Sequence, residues 1–300
     1  VRVRLREAVE KNKGLRHEAR TAAAQETAAL VWQADGRLYR TMKTLADDND
    51  VVLLQETHLR VEDAEIRAAM IGMLTRGAFA GWQVEESPAA EGDGYAGVLT
   101  WWNGETAQVS DVKEAVPGRM QWMRVRARID GTRMILANVY VPPRKGSPSA
   151  AERQRLTAVR AQLQAVADEA HARGSELAVA GDLQSQTARA LQASKAPQGN
   201  EYDAWLEKIT TENNLRSAGE VQDTYTAGEG GPTTAIDHIL LSAGLHERAE
   251  VEVGAGADGL HTGIEGEGDD SAIGQATKGH NSLQMRLRLD TAEGEEGEEE

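Results

Sequence analysis

Residues 51–59 read VVLLQETHL: four consecutive apolar side chains, then an amide, a carboxylate, a hydroxyl and an imidazole. The run follows Asp47–Asp50, a cluster that favours a turn, and it is too short for a helix. Its composition predicts a strand over 51–56 with both faces buried. Glu56 stands where that strand emerges. A sheet fixes the backbone at such a point while the adjoining loop leaves access, so strand ends suit functional groups that must be placed accurately.

Working outward, four more segments share this layout. TRMILANVYV (132–141) ends in the phenol of Tyr140 before Pro142-Pro143, and ELAVAGD (176–182) ends in Asp182, with Gln184 two residues on. TAIDHILLS (234–242) carries Asp237-His238, and Gly279-His280-Asn281-Ser282 precedes the alternating SLQMRLRL (282–289). GWQVEE (81–86), GYAGVLTWW (94–102), TAQVSD (106–111) and QWMRVRARI (121–129) read as further strands. Asn103-Gly104 and Asp130-Gly131 are hairpin signals between them.

Helices interleave with these strands. AALVW (28–32) reads as a strand, after which Leu38, Met42 and Leu45 recur at helical spacing. Ile66, Met70 and Met73 form a second stripe, which Gly77 is placed to end. Leu156, Val159, Leu163 and Val166 form a third, opened by a Ser149/Glu152 capping box and closed by Gly174. Trp205, Leu206 and Ile209 mark a fourth. Residues 1–27, rich in Arg, Glu and Ala, read as a helical extension or linker ahead of a domain over 28–290. Within it, 254–279 is dominated by Gly, Asp and Glu and reads as a flexible surface loop; 291–300 reads as a disordered acidic tail. Hairpins mixed with covering helices give an α/β class with two packed sheets flanked by helices.

Composition narrows the function classes. The 300 residues carry a formal charge of −15, and six of the Glu lie in the last ten residues. An acidic balance opposes tight non-specific nucleic-acid binding, which needs Lys and Arg, but suits an acidic cleft that meets phosphate through a divalent cation. With no cysteine, disulfides, thiolate metal sites and cysteine nucleophiles are excluded. No apolar run is long enough to span a bilayer, and charges interrupt the first residues where an export signal would need an apolar core. The expectation is an intracellular, nuclear or cytoplasmic protein with no membrane partner.

In order and spacing, VVLLQETHL, ILANVYVPP, LAVAGDLQ and AIDHILLS, with WQADGRL and GHNSL, resemble the endonuclease/exonuclease/phosphatase superfamily over residues 28–290. The details are most similar to its nuclease branch, the abasic-site endonucleases and the endonuclease domains of non-LTR retrotransposons. The resemblance implies a four-layer α/β/β/α sandwich of two mixed, largely antiparallel sheets. It implies a divalent-metal-dependent phosphodiesterase, a DNA endonuclease domain, monomeric and in its parent protein fused to a reverse transcriptase. Glu56 would be the principal ligand of Mg²⁺ or Mn²⁺, with Gln33 in the position of a further ligand. Asp182 would activate the attacking water, His280 would hydrogen-bond the scissile phosphate, and Asp237 would orient that imidazole. Tyr140 would donate to a phosphate oxygen, and Gln184 would bind or position substrate.

Three positions depart from the family's pattern. Trp32-Gln33 stands for Trp-Asn, Gly181-Asp182-Leu183-Gln184 for Gly-Asp-x-Asn, and Lys278-Gly279-His280 for Ser-Asp-His. Each Gln moves its amide one methylene further out, and about 1 Å of displacement can cost on the order of a hundredfold in rate. Gly279 deletes a carboxylate. The active site is therefore read as partly degraded. Two other readings stand beside it: an inactive member of the fold acting as a binding module, and a phosphatase or lipid phosphodiesterase of the same superfamily. His58 and His238 read as structural or surface residues rather than ligands, and Trp32, Trp101, Trp102 and Trp122 as core or sheet-face aromatics.

Overall fold

The computed structural model describes residues 36–91, 96–141, 149–186, 201–218, 225–226, 233–234, 236–253, 279–280 and 283–287. The helical extension over 1–27, the strand over 28–32, Gln33, the loop up to residue 278 and the tail over 291–300 lie outside the described residues.

Two sheets face one another. The first has the order β1-β3-β2, built from β1 (Val51–Leu54), β2 (Trp82–Ser87) and β3 (Val98–Asn103), all antiparallel. The second is six-stranded, in the order β4-β5-β6-β7-β11-β8. Its strands are β4 (Ala107–Val116), β5 (Met120–Ala127), β6 (Arg133–Tyr140), β7 (Glu176–Asp182), β8 (Leu215–Ala218) and β11 (Asp237–Ser242). The β6–β7 pair is parallel; the sheet's other pairs are antiparallel. Two small ribbons complete it: β9 (Tyr225–Thr226) between β10 (Thr233–Thr234) and β13 (Gly279–His280), and β12 (Ala249–Val253) with β14 (Leu283–Leu287).

Helices cover both outer faces, giving four layers. Helices α1 (Gly36–Asp48) and α2 (Ala64–Leu74) pack Met42, Leu45, Ile66 and Met73 against Val52, Leu99 and Trp101 of the first sheet. Helices α3 (Ala150–Arg173) and α4 (Glu201–Glu212) pack Leu156, Leu163 and Leu206 against Ile135, Val179 and Leu240 of the second. Between the sheets, Trp102, Met134, Leu136, Ala178 and Leu241 belong to one buried core. The one-residue alternation of a strand divides VVLL between two cores: Val52 and Leu54 face the helices, Val51 and Leu53 the opposing sheet. That double burial is why the run carries no polar residue.

Helix α3 begins with the capping box at Ser149 and Glu152 and ends at Gly174 in the left-handed conformation (φ 58°), as its sequence requires. A short helix α5 (Ala243–Arg248) follows β11.

Three expectations need correction. The first strand stops at Leu54, because Glu56 and His58 adopt positive φ (50° and 53°) and break the ladder. Helix α2 ends at Leu74 with Thr75 as its C-cap, and Gly77 (φ 60°) instead opens a 3₁₀ turn over Gly77–Phe79. Asn103-Gly104 does not close a hairpin: both edges of β3 are already taken by β1 and β2, so the chain crosses to the second sheet. There Gly104 N–H donates to the Gly81 carbonyl at 3.1 Å. Asp130-Gly131 does close the β5–β6 hairpin.

Candidate active site

Three of the strand-end residues form one row. Tyr140 at the end of β6 pairs with Asp182 at the end of β7, and Asp182 pairs with Asp237 at the start of β11. Residues in cross-strand register share a face. Counting back by twos, Tyr140 shares its face with Met134 and Leu136, and Asp237 with Ile239 and Leu241, all of the inter-sheet core. The row therefore stands at the rim of the space between the sheets.

Glu56 reaches the same rim from the first sheet. The Tyr140 hydroxyl donates to Glu56 Oε1. Burial, and then the Glu56 carboxylate, push the Tyr140 phenol far above the ordinary tyrosine range, so it keeps its proton and acts as a donor. The Arg119 guanidinium, itself buried, lies 4.6 Å over the Tyr140 ring, and the Arg119 carbonyl accepts from Tyr140 N–H at 2.7 Å. His58 Nε2 is 4.0 Å from Glu56 Oε2.

Asp182 is 3% exposed, and both its oxygens accept from Gln184: the backbone N–H meets Oδ1 at 3.0 Å and Nε2 meets Oδ2 at 2.7 Å. Gln184 adopts φ 51°, a left-handed conformation that non-glycine residues rarely take. Ahead of it, Gly181 has φ 145°, and a Cβ there would fall 1.9 Å from the Val139 carbonyl oxygen. The glycine is needed for β7 to approach β6 this closely.

The loop beyond Asp182 is pinned from behind. Leu183 N–H donates to the Ile236 carbonyl at 2.9 Å, and Gln186 N–H to Asp203 Oδ1 at 2.6 Å. Buried His238 lies 2.6 Å through Nε2 from the Ser185 carbonyl and 3.4 Å through Nδ1 from Ser217 Oγ. A carbonyl only accepts, so the proton is on Nε2. The backbone of His280 pairs with Tyr225 of β9, whose other neighbour, Thr234, lies three residues before Asp237.

Two polar residues of this region escaped the sequence reading. Asn138, 1% exposed, links the sheets: its Nδ2 donates to the carbonyls of Leu99 (3.0 Å) and Leu54 (3.3 Å), and its Oδ1 accepts from Gln55 Nε2 at 2.7 Å. A lone amide inside the apolar run ILANVYV was the available signal. Arg119 had none, since a Gly-Arg pair at a turn reads as solvated.

Carboxylate and amide oxygens are hard donors of the kind Mg²⁺ or Mn²⁺ takes. Mg²⁺ is commonly held by one or two carboxylates plus water and phosphate. Glu56, with Oε2 not engaged by Tyr140, fits that mode. Among the described residues, no three His, Cys, Asp or Glu side chains converge as a self-sufficient cage.

Comparison with known proteins agrees with this geometry. Solved structures of the same fold include the AP endonuclease LMAP from Leishmania major, at 18% identity and TM-score 0.58 over 85% of this chain and 84% of that one. A point variant of the 3′ phosphatase NExo from Neisseria, bound to product DNA hairpin, matches at 18% identity and TM-score 0.59 over 85% and 95%. The endonuclease domain of TRAS1, a telomere-specific non-LTR retrotransposon, matches at 14% identity and TM-score 0.53 over 83% and 91%. No curated protein sequence matches this chain at significant similarity. Residues 33–260 match the sequence pattern of one family across most of the chain, so this protein belongs to the endonuclease/exonuclease/phosphatase family.

Proposed function

We propose that this chain is a divalent-metal-dependent phosphodiesterase, a DNA endonuclease domain from a retroelement, with an active site partly degraded at Gln33, Gln184 and Gly279. The observation that carries this reading is the row Tyr140–Asp182–Asp237 on one sheet, closed by Glu56 from the other. Phosphodiester hydrolysis needs an acceptor for the proton of the attacking water and compensation of charge on the phosphoryl oxygens.

Glu56 would hold the Mg²⁺ or Mn²⁺, which when bound supplies positive charge to the phosphoryl oxygens. Asp182 would take the proton of the water. Gln184 donates to both of its oxygens, and a carboxylate offers about four acceptor sites in all. Tyr140 has a single proton, and it points at Glu56; donation to a phosphate oxygen requires that hydroxyl to rotate away. His280 would bind the scissile phosphate, supported by Asp237, and the β9–β13 pairing that carries its backbone toward the Asp237 end of the sheet favours this assignment. The retroelement source rests on the order and spacing of the strand-end motifs, and the TRAS1 domain shares the fold.

The test is incubation of the purified chain with supercoiled plasmid and with an abasic-site duplex, in Mg²⁺ or Mn²⁺, beside Glu56→Ala. Metal-dependent nicking that the variant lacks supports the reading. Nicking that is absent, or equal in the variant, removes it. The rival reading, a binding module without catalysis, draws on Gln184 folding back onto Asp182. Recovery of cleavage on restoring Asn at 33 and 184 and Asp at 279 would separate a decayed site from one built only to bind.

A further inference from the structure

We propose that Asn138 is the positioning residue for Glu56. Its amide is what holds the end of β1 against β6, so that the Glu56 carboxylate lies within reach of Tyr140 and of a metal ion. The inference rests on the metal role of Glu56 proposed above.

Asn138 lies on the inter-sheet face of β6, two residues before Tyr140 and therefore on the same side of the strand. It is 1% exposed, beside the buried side chains of Thr100 and Gln121, and a buried amide left unsatisfied there would be costly. It is saturated. Nδ2 shares its two protons among Leu99 O, Leu54 O and Thr100 Oγ1 at 3.0, 3.3 and 3.4 Å, and Oδ1 accepts from Gln55 Nε2 at 2.7 Å. The orientation is fixed, since two of the partners of Nδ2 are carbonyls that can only accept.

The position of those partners gives the amide its purpose. Leu54 is the last residue of β1, Gln55 the next, and Glu56 follows at φ 50°. A non-glycine residue in the left-handed region persists only where its surroundings determine it. The carbonyl before Gln55 and the side chain of Gln55 are both bound to Asn138, so the two residues leading into that conformation are anchored to the strand that carries Tyr140. A general adhesive for the sheets could stand anywhere along the interface. This one stands two residues from one partner of the Tyr140–Glu56 contact and binds the two residues before the other.

The experiment is calorimetric titration of the full chain with Mn²⁺ alone, on wild type, Glu56→Gln, Asn138→Ala, Gln55→Met and Leu163→Ala, each with a melting curve. Leu163→Ala, in the outer core, reports what loss of stability does by itself. Groups that orient a ligand typically change metal affinity by about 10- to 100-fold when removed. Asn138→Ala is expected to weaken Mn²⁺ binding by about tenfold or more. Gln55→Met should weaken it in the same direction, and Leu163→Ala should leave it at the wild-type value. If Asn138→Ala does not fold, Gln55→Met decides. If Glu56→Gln weakens binding while Asn138→Ala and Gln55→Met bind as wild type, or if Leu163→Ala weakens it equally, the positioning role is overturned and the metal reading survives. If Glu56→Gln binds as wild type, or wild type does not bind, the metal reading itself fails and this inference with it.

Discussion

Tyr140 and Glu56, 84 positions apart in the chain and on different sheets, meet in one hydrogen bond in which the phenol donates to the carboxylate. A hydrogen bond to a charged group contributes on the order of 1.5–3 kcal/mol. Tyr140→Phe keeps the ring under Arg119 and removes only the donor. It is expected to lower kcat/KM for plasmid nicking by about 10- to 100-fold, and to lower the melting temperature by a few degrees. Steady-state kinetics beside thermal denaturation checks both halves.

Gly181→Ala is expected to destabilise the protein by more than about 2 kcal/mol. The added Cβ would fall 1.9 Å from a backbone oxygen of β6, which cannot swing away as a side chain could. Urea unfolding measures the loss; a variant as stable as wild type would show that β6 and β7 do not approach this closely.

Gln184→Asn shortens the amide that reaches Asp182 Oδ2 and places a residue more tolerant of positive φ at φ 51°. Stability should stay within about 0.5 kcal/mol of wild type. Metal-dependent cleavage should rise by about tenfold or more, because the amide is released from Asp182. A fall in activity would instead make Gln184 a working partner of Asp182.

His238→Leu fills much of the space of the imidazole but leaves the buried Ser185 carbonyl without its 2.6 Å donor. The expected cost is about 1–3 kcal/mol by denaturant titration. Because Ser185 belongs to the loop that begins at Asp182, hydrogen exchange should quicken at residues 183–186 more than at β5.

Glu85, although exposed, has its carboxyl pushed above the ordinary range, first by partial desolvation against its neighbours and then by neighbouring Glu114. Since the folded value exceeds the unfolded one, the folded state binds the proton more tightly. The stability this gives is complete below the unfolded value and is lost as pH rises through the folded one. Glu85→Gln should therefore raise the melting temperature at pH 7 and leave it nearly unchanged at pH 3. An equal shift at both would point to packing rather than charge.

Much of the fold was legible because a doubly buried strand such as VVLL or the run MILANVYV can be written in few other ways. The strand-end places of Glu56, Tyr140, Asp182 and Asp237 were legible for the same reason: each polar group marks where an apolar run stops or, for Asp237, begins. Pairing was not. Asn103-Gly104 has the local chemistry of a hairpin, yet both edges of β3 are taken by strands that precede it in the chain, and a dipeptide carries no information about which edges are free. Nor was the fate of Gln184 legible. Its fold-back onto Asp182 depends on a positive φ set by the pinned loop around it, which spacing does not encode.

The parallel pairing of β6 with β7 bears on the order in which the acidic rim is assembled. A chain emerging from its N-terminus can complete the first sheet once Asn103 is made, and can join Tyr140 to Glu56 soon after. Asp182 can be added only when the 24-residue helix α3 has returned the chain to the same end, and Asp237 later still. Closing such distant segments is slow relative to local contacts. A nascent or clipped chain that stops before β7 would thus hold Glu56 and Tyr140 without Asp182, and one that stops before β11 would still lack Asp237, so the rim is whole only with the last central strand.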